Sequence, residues 1–354
     1  NGKIVYIGSL PVPLEFENAK KQIDGSHFIA LPGFVNTHTH AAMTLFRGYA
    51  DDMVLMEWLE KKIWPIEANL GPKDVYYGAL LGCIEMIKAG VTVFADMYCF
   101  MFDTAKAVKD SGIRASLSQG LIGTSPDSFK ALKDGMELCK TWDGEANGRI
   151  TTMLGPHAPY TCPRSFLEKV IESAKELNTG IHIHLSETQG EVEQSRAEHG
   201  GMSPVEFMDN IGLFQLPTLA AHCVHVSEKD IEILRSRNVG VAHNPGSNMK
   251  LASGIAPVPA MLKAGVKVGL GTDGASSNNN LDILEEAKLA ALLHKVSNKD
   301  PTAIPAKQGL IMATLGGAKI LGLDSEIGSL ELGKKADVIL LNSFKPHMYP
   351  KHDL

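Results

Sequence analysis

Pro32-Gly33-Phe34-Val35-Asn36-Thr37-His38-Thr39-His40 is the stretch on which the fold turns. An apolar β-type run leads into two histidines spaced two apart. Residues i and i+2 of a strand face the same side, so His38 and His40 can present two imidazoles to one ion. If this is the first strand of a parallel barrel, the pair sits at its C-terminal mouth, where such folds assemble active sites. Read alone, HxH serves equally for packed or surface histidines.

The pattern continues outward from that strand. Phe28 to Asn36 reads as one strand candidate interrupted at Pro32-Gly33. Further candidates are 91–96, 114–119, 150–155, 180–185, 217–221, 240–242 and 266–271. Helical stretches at 75–89, 104–111, 128–139, 164–177, 203–210, 228–235, 258–264 and 281–294 follow or separate them. Eight strands alternating with helices favour a (β/α)8 TIM barrel of the metal-dependent hydrolase type. A doubly wound open sheet also fits the alternation. Ile4 to Ile7 and Ala336 to Leu341 read as short strands outside the barrel. The expected organisation is an N-terminal part of a small β module over 1–27, a catalytic barrel over 28–325, and an incomplete C-terminal part of the module over 326–354.

Three distant residues join the histidine pair. His184 closes the apolar run from Gly180, His222 follows Thr218 to Ala221, and Asp273 follows Val268 to Thr272. Each ends a strand pattern, so each reaches the same mouth. Three imidazoles and one carboxylate suit zinc, and iron or manganese can share such a set. The expected ligands are His38, His40, His184 and Asp273. His222 is placed beside the attacking water, and exchanging its role with His184 stays open. His182 lies deeper on the same strand face, as a neighbour of the ligands or as core. His243 is a further mouth candidate without a role. Glu187, just past the strand end, is positioned to shuttle a proton; as an acid in the first turn of a following helix it would need no catalytic role.

Composition narrows the partners. The 354 residues carry 34 basic and 40 acidic side chains, a net charge of -6 with no concentrated basic tract. A nucleic-acid backbone is therefore not the expected partner. No apolar run is long enough to span a bilayer. The five cysteines, Cys83, Cys99, Cys139, Cys162 and Cys223, form no CxxC pair and indicate no disulfide framework. A cytoplasmic protein acting on a small molecule, monomeric or homo-oligomeric, is the expectation.

Four motifs in order make the resemblance specific: PGFVNTHTH at 32–40, HLSET at 184–188, AHCVH at 221–225 and GTDGASSNN at 271–279. Together they resemble the amidohydrolase superfamily and, within it, the 5-methylthioadenosine/S-adenosylhomocysteine deaminases, over nearly the whole chain. The resemblance implies one divalent ion, most simply zinc, on His38, His40, His184 and Asp273. It implies proton transfer by Glu187, His222 and Asp273. It also implies substrate contacts from Glu67 in Trp64-Pro65-Ile66-Glu67 and from His157 in Gly155-Pro156-His157.

Two-metal relatives bridge their ions with a lysine of the fourth barrel strand, and 150–156 contains none. Homocysteine-accepting relatives carry an arginine before Gly-Leu at the third strand, where this chain has Gln119. Gln119 is thus expected to contact substrate without forming a charged fork to a carboxylate. The implied reaction is hydrolytic deamination of 5′-modified adenosines, preferably those without an amino-acid tail. Related enzymes acting on guanine, cytosine or an s-triazine are rivals, as is a metal-binding structural protein without catalysis.

Overall fold

The computed structural model describes residues 2–9, 11–17 and 19–352. Eight parallel strands form one sheet: β2 (Phe34–Thr39), β3 (Val91–Tyr98), β4 (Arg114–Leu121), β5 (Ile150–Pro156), β6 (Gly180–Leu185), β7 (Thr218–His222), β8 (Gly240–His243) and β9 (Lys267–Leu270), in sequence order. The sheet curls so that β2 and β9 meet. Side chains close that seam. Thr37 Oγ1 donates to the Leu270 carbonyl at 2.8 Å, while Asn36 accepts from the Thr272 amide at 3.0 Å and donates to Thr272 Oγ1 at 2.8 Å. The barrel is the expected (β/α)8 type, and the open doubly wound sheet is excluded by this closure.

Small side chains make the closure affordable in space. Ala95, Leu219, Ala221 and Ala242 form a buried cluster inside the barrel, with Met153 and Ile320 packed on it. The short helix Gly317–Ile320 seals the floor. A methyl group on Gly317 would lie 2.8 Å from Val35 Cβ, so the helix sits this low only because that position is glycine.

The helices α1 (Pro72–Lys88), α2 (Met101–Ser111), α3 (Ser128–Trp142), α4 (Arg164–Leu177), α5 (Gln189–Glu198), α6 (Pro204–Asn210), α7 (Glu228–Ser236), α8 (Pro245–Lys250), α9 (Val258–Ala264) and α10 (Ile283–Asn298) surround the sheet. Helix α4 follows the expected pattern: Phe166, Leu167, Val170, Ile171 and Ala174 are buried, and charged residues fill its outer side.

The stretch Phe28 to Asn36, read as one strand, is two. β1 (Phe28–Pro32) pairs antiparallel with β10 (Val338–Asn342), whereas Phe34 opens the barrel. The turn falls at Gly33, whose amide donates to the Asp337 carbonyl, while the Phe34 amide donates to the Gly90 carbonyl. Two different sheets thus claim adjacent residues. Ile4 to Ile7 is not a strand. It is tethered at one point, where Lys3 bridges Lys335 and the Ile4 amide donates to the Lys334 carbonyl. β1 occupies the pairing edge of β10 that the sequence pattern assigned to it.

Closure depends on Gly271 as well. A methyl there would sit 2.9 Å from the His38 amide nitrogen. Gly271→Ala is expected to cost about 1–3 kcal/mol through forced displacement at the seam, read as a lower midpoint in urea denaturation. An unchanged midpoint would show that the seam yields freely.

Candidate active site

The mouth of the barrel gathers the strand-end residues. His38, His40 and His184 each offer a ligand atom within 4.8 Å of the others, and so do His38, His222 and Asp273. Asp273 Oδ1 lies 3.4 Å from His38 Nε2 and 3.2 Å from His40 Nε2; His184 Nε2 lies 3.3 Å from His40 Nε2.

Each imidazole is held from behind through Nδ1. His40 Nδ1 faces the Met97 carbonyl, and His184 Nδ1 lies 2.7 Å from the His157 carbonyl. His222 Nδ1 lies 2.9 Å from Asn248 Oδ1. A carbonyl or amide oxygen only accepts, so these three rings carry their proton on Nδ1 and turn a bare Nε2 lone pair toward Asp273 or its surroundings. His38 Nδ1 lies 2.8 Å from His182 Nε2, and the tautomer that matches the other three rings has His38 donating there. His38 Nε2 is then buried without a hydrogen-bond partner. A buried lone pair among other lone pairs and a carboxylate fits a divalent cation and little else.

The electrostatics agree. Burial holds His38 neutral, pushing its pKa down to about 4 against the pull of Asp273. Burial opposes charge on His40 too, yet Asp273 and the Met97 carbonyl outweigh it and carry its pKa up to about 9, so without a cation beside Asp273 a proton takes its place on His40 Nε2. Burial would raise the pKa of Asp273, yet the His38 and His40 rings beside it outweigh burial and hold it well below the usual carboxylate range. This carboxylate requires positive charge beside it. Ser247 and Ser277 hydroxyls donate to its Oδ2 at 2.6 and 2.9 Å, and the Gly274 amide donates to Oδ1 at 2.8 Å.

Backbone geometry aims two of these residues. His222 has φ 72° and Asp273 φ 62°, both left-handed and uncommon for residues with a side chain. In β7, Leu219 and Ala221 face the barrel interior, so regular alternation would send His222 outward; the left-handed turn brings it back.

Glu187 lies on the next turn, buried, with Oε2 3.7 Å from His222 Nε2 and Oε1 accepting from Ser253 Oγ at 3.1 Å. Burial raises its pKa, with Asp273 adding to the effect, so the neutral acid is accessible. Glu187 is not in the first turn of a helix. Thr188 caps α5, accepting from the Glu191 amide at 3.2 Å, and Glu191 is the first-turn acid. The Glu191 carboxylate accepts the amides of Ser186 and Glu187 at 2.7 and 2.8 Å and pins the turn.

Above the imidazoles lies a cavity that opens to solvent, a concave and largely apolar site of the kind that takes small molecules. Its walls include Trp58, Leu59, Trp64, Met97 and Tyr160, with His40, His157, His184, Glu187, His222 and Asp273 at the polar end. Glu67 lines it as well; Tyr98 donates to its Oε1 at 2.6 Å, and burial raises its pKa. His157 is kept neutral, its pKa lowered to about 4 by burial and the neighbouring His40. Trp58 and Trp64 are two of the chain's three tryptophans. Their clustering just before Glu67 is the sequence signal for this wall.

Gln119 is the exception. In β4, Ser118 faces the interior, its hydroxyl 3.5 Å from His182 Nδ1, so Gln119 points to the helices. Its Oε1 accepts from the Met101 amide at 3.3 Å, at the start of α2, and it does not line the cavity. The expected substrate contact at Gln119 is therefore corrected by strand parity. His243 also turns outward, meeting His294 of α10 with 3.2 Å between Nε2 atoms.

Comparison with known proteins follows this geometry. The model of the Amidohydrolase family matches residues 29–353. A 5-methylthioadenosine/S-adenosylhomocysteine deaminase of Desulforudis audaxviator is 58% identical over 99% of this chain and 82% of its own length. A 5'-deoxyadenosine deaminase of Methanosarcina acetivorans is 56% identical over 100% of this chain and 81% of its own. Among solved structures, a zinc-bound adenosine deaminase of Xanthomonas campestris superposes with TM-score 0.89 at 38% identity, covering 93% of this chain and 75% of its own.

His182 contacts no bulk water and touches the cluster only through His38. His182→Phe keeps an aromatic ring but removes the acceptor. It is expected to weaken zinc binding about 10- to 100-fold, measured by competition with a chromophoric chelator. Unchanged affinity would mean that His38 needs no partner on Nδ1.

Proposed function

The chain belongs to the amidohydrolase family and, within it, to the 5-methylthioadenosine/S-adenosylhomocysteine deaminases, and on that footing we propose how its residues divide the work of deamination. The reaction is the hydrolysis of an adenine C6 amine: water adds, ammonia leaves, and an adenosine-type nucleoside becomes its inosine analogue. The observation that carries this reading is the buried meeting of Nδ1-anchored imidazoles around Asp273, with Glu187 beside them.

His38, His40, His184 and Asp273 hold the divalent ion. When bound, the ion supplies an activated water near neutral pH and charge stabilisation for the attacking oxygen. His222 and Asp273 orient that water and take up its proton. Glu187, neutral in the complex, donates to N1 of the ring, which makes C6 more electrophilic. The proton taken from the water then passes to the departing amine, ammonia leaves, and the C6 hydroxyl gives its proton back to Glu187 as the carbonyl forms. Glu67 accepts from the ribose hydroxyls; its Oε1 is already fixed by Tyr98, which orients the carboxyl group. His157, neutral and on the cavity wall, contacts the purine.

Two finer points belong to this proposal. No lysine or arginine is among the residues lining the cavity, and Met43, Met97, Cys99, Leu55 and Trp58 contribute apolar or sulfur-bearing wall. That surface suits a methylthio or methyl group at the 5′ position and leaves an amino-acid carboxylate unpaired. The preference for a substrate without such a tail therefore rests on the wall rather than on Gln119. The compartment is the cytoplasm. All five cysteines are free thiols, which suits a reducing environment. No helix among the described residues is long and apolar enough to cross a membrane.

Three assays test the proposal. Glu187→Gln is expected to keep the ion while turnover falls by about 10²- to 10⁴-fold; full deaminase activity would remove the proton shuttle. Ammonia release is expected to be faster, by kcat/KM, with 5′-methylthioadenosine than with S-adenosylhomocysteine, guanine, cytosine or a triazine. A reversed order would transfer the assignment to the rival substrate. Glu67→Ala is expected to raise KM for the nucleoside and to leave binding of free adenine nearly unchanged. Equal effects on both would argue against ribose contact.

A further inference from the structure

Acids in the first turn of a helix normally stand in solvent, where the free N–H groups of that turn favour them. α10 begins with two, Glu285 and Glu286. Glu285 is exposed. Glu286 is 0% exposed, and it does not line the cavity. Burial, with the acids Glu285 and Asp273 nearby, pushes its pKa up to about 7 against the two hydrogen bonds it accepts. A buried carboxylate is costly unless its oxygens are satisfied, so what those oxygens hold is informative.

They hold two different loops. Oε2 accepts the Gly246 amide at 2.9 Å, in the first turn of α8 after β8. Oε1 accepts from Asn278 Nδ2 at 2.9 Å, in the loop after β9. Asn278 Nδ2 also donates to the Thr272 carbonyl at 2.7 Å. That carbonyl only accepts, so the Asn278 amide nitrogen must face it, and both oxygens of Glu286 receive N–H groups. A methyl on Gly246 would fall 2.5 Å from Glu286 Oε1 and 2.8 Å from Asn278 Oδ1, so the three residues are in direct contact.

The next residues along each loop touch the reacting cluster. After Gly246 come Ser247, which donates to Asp273 Oδ2, and Asn248, which accepts from His222 Nδ1. Before Asn278 comes Ser277, the second hydroxyl donor to Asp273 Oδ2, and Thr272 adjoins Asp273 itself. At the far end of α8, Lys250 donates to the Ser276 carbonyl at 3.0 Å and to Asn279 Oδ1 at 2.9 Å. Glu286 supplies the matching tie at the first turn.

Resting on the deaminase reading above, we propose that Glu286 is a positioning residue: one buried carboxylate clamps the loops after β8 and β9 together, and so sets Asn248 against His222 and Ser247 against Asp273. It touches neither substrate nor ion and acts through those two side chains. A glutamine in its place keeps one acceptor oxygen and turns an amide nitrogen toward the other donor, so it holds one loop only.

Steady-state kinetics on zinc-loaded variants and one imidazole proton signal test this. Glu286→Ala is expected to lower kcat for 5′-methylthioadenosine about 10- to 100-fold, with KM nearly unchanged. Glu286→Gln is expected to fall between it and the wild type. In a protein that already carries Asn248→Ala, Glu286→Ala is expected to cost little more, because the two act in series. The His222 Nδ1–H resonance, assigned by its absence in His222→Gln, is expected in the wild type and lost to water exchange in Glu286→Ala. That signal does not depend on the substrate, so an inactive wild type would sink the functional reading and still leave the clamp tested. If Glu286→Ala misfolds, Glu286→Gln and Asn278→Ala serve instead, each with a lowered kcat and a weakened signal expected. A lower urea midpoint with unchanged kcat per bound zinc, fully additive losses in the double variant, or a retained Nδ1–H signal would overturn the proposal.

Discussion

A buried imidazole can turn a lone pair toward a carboxylate only if something fixes its proton on the other side. That constraint governs the mouth of this barrel. Met97, His157, Asn248 and His182 each take an Nδ1–H, and they come from four different positions around the sheet. Remove the anchors and the rings can rotate or change tautomer. Remove the closure at Asn36 and Thr37, and Asp273 no longer meets His38, whose carbonyl accepts the Asp273 amide at 2.9 Å. The glycines at 269, 271 and 317 matter for the same reason, since they let strand and floor approach until these bonds form. The site is therefore a property of barrel closure and of the shell behind the rings, as much as of the residues facing the cavity.

Much of this was legible because strand-end polarity survives in sequence. His38, His184 and Asp273 each interrupt or end an apolar run, and a parallel barrel brings all such ends to one rim. The eight strands could be read for the same reason: their cores are short, apolar and bounded by turn residues. The failures have physical causes. Strand parity decides which way a side chain points, and an offset of one residue put Gln119 on the wrong side. The left-handed backbone at His222 breaks alternation locally, so its place at the mouth was legible from its position at a strand end and not from period. Ile4 to Ile7 has the composition of a strand, but β10 pairs with β1, and the backbone bonds of residues 2–4 go to the turn at 333–336 instead. The helix Gln189–Glu198 went unread because its face is weakly apolar: only Glu191, Val192 and Ser195 are buried.

The cavity separates two tasks. Its floor is polar, desolvated and rigid, the conditions under which oriented groups act most strongly on a developing charge. Its upper wall is aromatic and apolar and comes from the segment between Leu55 and Glu67, which follows directly on the histidine pair in the chain. Binding energy gathered from the 5′ substituent and the ribose can thus be spent on holding the ring against the floor.

The central claim is that one divalent ion in this cluster makes the water that attacks the ring. Titrating the chelator-stripped protein with zinc, while following both binding and ammonia release from 5′-methylthioadenosine, tests it most directly. The account predicts that activity rises in step with binding and levels off at one ion per chain. Saturation at two ions per chain, or ammonia release at full rate before any ion is added, would contradict it.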